Sequence, residues 1–167
     1  MAEPLHDKIK RSLEAAAGLY HRLVLLVGES GSGKTYILRD VATDFGASVI
    51  NINLMLSSEL LELTAKQRSL RLPGILNQIL DKVQSPLESP VVLDNLEILF
   101  DKDLKQDPLR LLQGISRNRA VVASWNGTFS DGRLGYAEMG HPEYRSYHAV
   151  DVLIVNMNGS ATIDASK

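Results

Sequence analysis

Residues Leu23–Asp40 read LVLLVGESGSGKTYILRD, and the spacing inside that stretch decides the fold. The run RLVLLVG is apolar without alternation and ends on glycine, the pattern of a strand buried on both faces. From Lys34 to Phe45 the residues Ile37, Leu38, Val41, Ala42 and Phe45 recur at helical spacing, which predicts a helix with one packed stripe. Between strand and helix lies GESGSGKT, Gly28–Thr35, which fits G-x-x-x-x-G-K-[ST], the Walker A pattern. Gly28, Gly31 and Gly33 permit dihedrals and close approaches that side chains forbid. The backbone N–H groups along Glu29, Ser30, Gly31, Ser32 and Gly33 then converge on an anion at the positive end of the following helix, with Tyr36 just beyond. Lys34 is expected to reach the β- and γ-phosphates of ATP, and the Thr35 hydroxyl to ligate Mg2+.

Working outward, a first helix is expected over residues 5 to 18, with Ile9, Leu13 and Ala16 or Ala17 on one face. After the Lys34–Phe45 helix, SVININ reads as a short strand. SSELLELTAKQRSLRL reads as a helix capped by Ser57 or Ser58, broken at Pro73, with a second piece running to Val83. The loop QSPLESP leads to a third strand, VVLD. Asp107 as cap and Pro108 as first helical residue open a helix in QDPLRLLQGIS. The fourth strand is AVVAS, and a long connection from Trp125 to about Ala149 leads to a last strand, VDVLIV. Strands alternating with helices imply a parallel sheet covered on both faces, so the expected fold is a three-layer α/β P-loop NTPase domain over residues 1–155. Five parallel strands in the order 5-1-4-3-2 are expected, with no helical lid after the last strand and a structureless polar tail over 156–167.

A P-loop magnesium site needs a further aspartate at the end of a neighbouring strand, and Asp94 in PVVLDN meets that need. Many P-loop ATPases carry a glutamate next, to polarise the attacking water; here the residue is Asn95, whose amide cannot take a proton. Glu97 is the nearest carboxylate, and it turns toward the site only if the strand ends in a tight turn. At the end of the fourth strand, Asn126 is the better candidate for a polar γ-phosphate sensor and Ser124 the lesser, against an ordinary Asn-Gly turn. The candidate catalytic set is therefore Lys34, Asp94, Asn95, Glu97 and Asn126, with Thr35 and Asp94 on the metal. Arg117, Arg119, Arg133 and Arg145 are candidates for neutralising transition-state charge, in cis or toward a partner. In the long connection, Phe129, Tyr136, Tyr144 and Tyr147 are read as packing on their own sheet, with base stacking as the competing role. Trp125, the one tryptophan, reads as core.

Bulk properties narrow the classes. With 167 residues the chain is long enough for one domain with a real core. A net charge of −2 gives no general polyanion-binding surface and leaves DNA binding an open, local property. No apolar run is long enough to cross a bilayer, and the absence of cysteine suits a reducing cytoplasm. The four histidines show no metal-ligand pairing. No N-K-x-D guanine signature occurs, and a small-metabolite kinase remains the rival, to be decided by whether the Asp94 strand adjoins the P-loop strand.

The segments LVLLVGESGSGKT, VVLDNLEILFD, QDPLRLLQGISRNRAVVASWNG and GHPEYR together resemble the BrxF family of small P-loop proteins, encoded in type-three BREX bacteriophage-exclusion loci. The similarity runs from about Leu19 to Val155. It implies a cytoplasmic role in phage defence, in a homo-oligomer or beside a large ATPase, a DNA methyltransferase, a helicase and a phosphatase-like protein. Gly28–Thr35 and Asp94 carry over directly; Asn95, Glu97 and Asn126 carry over as candidates. Slow or partner-stimulated ATP hydrolysis is the expected activity, with a non-hydrolysing nucleotide-dependent module as the alternative.

Overall fold

A computed structural model of the chain describes residues 4–83, 89–137, 141–148, 152–158 and 161–162. Most of the QSPLESP loop, Gly140 of GHPEYR, the first two residues of VDVLIV and most of the tail lie outside the described residues. The parallel strands are β1 (Leu23–Gly28), β2 (Val49–Asn51), β3 (Val91–Asp94), β4 (Val121–Ser130) and β7 (Leu153–Asn156). They lie in the order β2-β3-β4-β1-β7, which is the expected 5-1-4-3-2. Because β4 separates the Asp94 strand from the P-loop strand, the topology is not that of the small-metabolite kinases.

Period-two alternation divides the core. Val24 and Leu26 of β1, Val92 of β3 and Val122 of β4 face α1 (Leu5–Ala16) and α2 (Lys34–Asp44). Leu23, Leu25 and Val27 face the opposite layer, with Leu93, Ala123 and Trp125. That layer is built from α3 (Ile52–Leu60), α4 (Ala65–Lys82) and α5 (Pro108–Ile115). Continuing the alternation, Asp94 and Ser124 fall on the same face as Val92 and Val122, toward the start of α2. A buried strand therefore ends by aiming its one acid at the P-loop helix.

Four expectations need correcting. The helix after β2 starts at Ile52, not at the serines, because the Asn51 side chain already accepts from the Leu54 N–H at 3.0 Å and caps it. Pro73 does not break α4. A proline there leaves the Ser69 carbonyl without its helical donor, and the Gln106 amide supplies one from outside the helix at 2.8 Å. A Thr64–Gln67 capping box fixes where α4 begins.

The third and fourth corrections concern the sheet. AVVAS is only the start of β4, which runs on through the Asn-Gly pair to Ser130. It then pairs antiparallel with β5 (Arg133–Tyr136), and β5 pairs with β6 (Arg145–His148), so a three-stranded ribbon replaces much of the supposed loop. Gly127 makes the crossing possible, since a Cβ there would lie 1.8 Å from the Gly135 carbonyl oxygen. The ribbon tyrosines pack inward: Tyr136 stacks on Phe100 with centroids 3.4 Å apart, and Trp125 meets Phe100, Tyr136 and Tyr147 edge-on. Finally, the tail is not wholly without structure. Ala161–Thr162 form β8, antiparallel to β7, which brings the sheet to eight strands.

Candidate functional site

The P-loop closes on its own lysine. Gly31 and Gly33 adopt φ of +80° and +98°, where glycine costs least. Gly33 is the left-handed residue from which α2 starts. Gly28 has a different need: a Cβ there would lie 2.6 Å from Met157 Cγ and 2.7 Å from Ser32 Oγ. The residue after β7, not the phosphates alone, thus demands that glycine. Lys34 is buried, and its Nζ donates to the carbonyls of Gly28 at 2.9 Å and Glu29 at 2.7 Å, with Ser32 Oγ at 3.4 Å. Burial pushes the ammonium below its ordinary pKa, while the carboxylates of Asp94, Glu97 and Glu29 pull it back up. Glu29 and Ser30 are exposed on the loop, and Tyr36 is exposed on the first turn of α2.

Asp94 is buried between two hydroxyls. Thr35 Oγ1 donates to Asp94 Oδ2 at 2.7 Å, and Ser124 Oγ donates to Asp94 Oδ1 at 2.7 Å. A hydroxyl and a carboxylate at this spacing, beside a phosphate-type loop, form a hard oxygen donor set that suits Mg2+. Ser124, the lesser sensor candidate, is therefore occupied in holding the carboxylate.

The strand end does make the tight turn. Asn95 takes φ +56°, and its carbonyl accepts from the Asn53 N–H at 2.9 Å. A 3-10 turn, Glu97–Phe100, follows at once. Glu97 is thereby brought beside Asn126, whose amide donates to Glu97 Oε1 at 2.8 Å. Asn53, in the first turn of α3, donates from Nδ2 to Glu97 Oε2 at 2.9 Å and accepts the Ile98 N–H at 2.7 Å. Asn53 was not among the residues singled out from sequence. The SVININ alternation hid it, although Asn51 followed by an apolar run was an available helix-start signal.

Glu97 and Asn126 line a cavity of about 560 Å3 that also touches Glu29, Ser30, Tyr136 and Glu143. Burial, with Glu97 and Glu143 nearby, pushes the Tyr136 hydroxyl up to about 12. None of the four candidate arginines is among the described residues lining this cavity. Arg117 and Arg119 precede β4, and so lie at the end of the parallel strands opposite the P-loop; Arg117 sits over the Tyr20 ring and Arg119 pairs with Asp81 at 2.9 Å. Arg145 donates to the Gln106 carbonyl at 3.0 Å, and Arg133 is exposed where the ribbon turns.

A glycine-rich strand-to-helix loop, a buried aspartate on a strand separated from it by β4, and the 5-1-4-3-2 order define an ATP-binding P-loop NTPase. Residues 24–118 match the model of the ATPase family associated with various cellular activities (AAA), and the chain belongs to that family. The solved structure of C. elegans PCH-2 is similar with 18% identity and a TM-score of 0.41, over 75% of this chain and 37% of that one. The chain thus spans little more than a third of PCH-2. No curated protein matches the chain. Among the described residues no helix is long and apolar enough to cross a membrane.

Proposed function

We propose that the chain binds ATP with Mg2+ on Gly28–Tyr36 and Asp94, hydrolyses it slowly when alone, and is accelerated by a second subunit or a partner protein. One observation carries the choice of base: the Glu97 carboxylate is fixed between the amides of Asn53 and Asn126 on the wall of a cavity shared with the P-loop. Magnesium, when bound, would withdraw charge from the phosphates. The chain's own residues do the rest. Lys34 turns from the Gly28 and Glu29 carbonyls toward the phosphate oxygens, and Thr35 and Asp94 hold the metal. Glu97 accepts the proton of the attacking water, and the Asn126 amide, which donates to Glu97 Oε1 at 2.8 Å, would exchange that bond for one to the γ-phosphate.

Slow unaided turnover follows from the same geometry. Each Glu97 oxygen already accepts one amide hydrogen bond, so an attacking water has to share an oxygen with Asn53 or Asn126, and the described cavity lining supplies no arginine to the transition state. That occupancy also favours a second reading, a non-hydrolysing module in which nucleotide only stabilises an interface. From the resemblance, the setting is BREX phage defence in the cytoplasm, with the large ATPase and the methyltransferase of the same locus as first partners to try.

Calorimetry with ATP, ADP and GTP, beside Lys34→Ala, tests the nucleotide site; indifference to all three nucleotides ends the proposal. Burst and steady-state phosphate release, alone and with the partner proteins, then separates the two readings. Glu97→Gln is expected to lower turnover about 100-fold or more while ATP still binds. Turnover that survives the substitution removes Glu97 from the role.

A further inference from the structure

The face of β4 that packs toward α2 is apolar at Val122 and turns polar at Ser124 while still buried, at 5% exposure. The register partner of Ser124 on β1 is Leu26, part of the same apolar layer, so the alternation calls for another hydrophobic side chain there. A buried hydroxyl costs stability unless it is hydrogen-bonded. Its Oγ donates to Asp94 Oδ1 at 2.7 Å, in a bond shielded from water. The acid is what this hydroxyl is there for.

Two donors from two elements hold Asp94, and their duties differ. Thr35 Oγ1, in the first turn of α2, donates to Oδ2 at 2.7 Å. Thr35 also has to turn a lone pair toward Mg2+, so it is not the fixed point of the acid. Ser124 has no second duty and stands on a strand flanked by β1 and β3. A carboxylate turns readily about its last side-chain bond. Tying Oδ1 to β4 stops that rotation and leaves Oδ2 on the Thr35 side. Groups that brace a metal ligand from behind change metal affinity by about 10- to 100-fold when removed. We propose that Ser124 is the positioning residue for the metal: by holding Asp94 Oδ1 it sets how strongly Mg2+ tightens ATP binding. The proposal rests on the reading of Thr35 and Asp94 as the metal-holding pair. It separates Ser124 from Asn126, two residues further along β4, whose amide goes to Glu97 and not to Asp94.

The test is calorimetry of ATP binding to the full chain, in magnesium and in EDTA, with the ratio of the two dissociation constants as the readout. Ser124→Ala is expected to cut that ratio about tenfold, by weakening binding in magnesium while metal-free binding stays within about twofold. A general loosening of the fold would weaken both alike and leave the ratio in place. Ser124→Thr keeps the hydroxyl and should hold the parent ratio. Ser124→Cys, close in size but a weak donor, should fall between the two, and it carries the comparison if the alanine variant does not fold. An unchanged ratio in the alanine or cysteine variant, or a threonine variant that behaves like alanine, overturns the role of Ser124 while ATP binding itself stands. A parent chain that binds ATP equally with and without magnesium removes the metal reading, and this proposal with it; one that binds no ATP removes the nucleotide site as well.

Discussion

Consider Gln106→Leu, made once in the parent chain and once with Pro73→Ala. In the parent, the Gln106 amide donates to the Ser69 carbonyl at 2.8 Å, in the position where Pro73 has no N–H to give. It also donates to the Leu104 carbonyl at 2.6 Å. Ser69 and Gln106 are half-buried, so water compensates part of the loss, and the Ser69 term should come out near 1 kcal/mol, at the low end for an unsatisfied buried acceptor. With alanine at 73, the new N–H reaches Ser69 through the ordinary helical bond, and only the Leu104 contact remains to be lost. Urea unfolding of the four proteins gives the coupling directly, and about 1 kcal/mol is expected between the two positions. Equal cost of Gln106→Leu in both backgrounds would refute the claim that this amide replaces the missing helical donor.

Gly28→Ala should destabilise the fold and weaken nucleotide binding, and Met157→Ala should restore part of the stability, because it removes the Met157 Cγ clash and leaves the one with Ser32 Oγ; paired melting and calorimetry check it. Gly127→Ala should cost more than 3 kcal/mol, enough to deplete folded protein in a denaturation assay, since the clash is with backbone of β5 and not with a side chain that can move. Tyr136 and Tyr147 both have hydroxyls pushed up to about 12 by burial and nearby carboxylates. Raised folded-state values mean that their stability contribution is intact below the ordinary tyrosine value of about 10 and is lost as pH rises through about 12. Ultraviolet titration should therefore show two phenols ionising late, and stability should decline across that alkaline window.

The parallel core was legible because each of its signals is local. RLVLLVG, GESGSGKT and PVVLD carry their meaning within a few residues, and strand order follows from the class they define. Thr35 donates to Asp94, and Lys34 folds back on the Gly28 carbonyl. What failed depended on contacts between distant segments. The carbonyl that Pro73 leaves without a helical donor is met by a side chain 33 positions later, at Gln106. The Asn-Gly pair at Asn126 and Gly127 looks like a turn in isolation, but it is a strand crossing once β5 is present. Glu97 stayed undecided because its direction depends on the left-handed Asn95 and on Asn53, and neither is implied by LDNLE alone.

Trp125 is the chain's single tryptophan, and its indole N–H donates to the Gly135 carbonyl at 3.0 Å while its ring meets Phe100, Tyr136 and Tyr147 edge-on. All indole emission therefore originates at the one junction between the turn that carries Glu97 and the antiparallel ribbon. Slippage of either part would alter the polarity around that ring, so stopped-flow fluorescence of the unlabelled protein can time the rearrangement without any introduced probe.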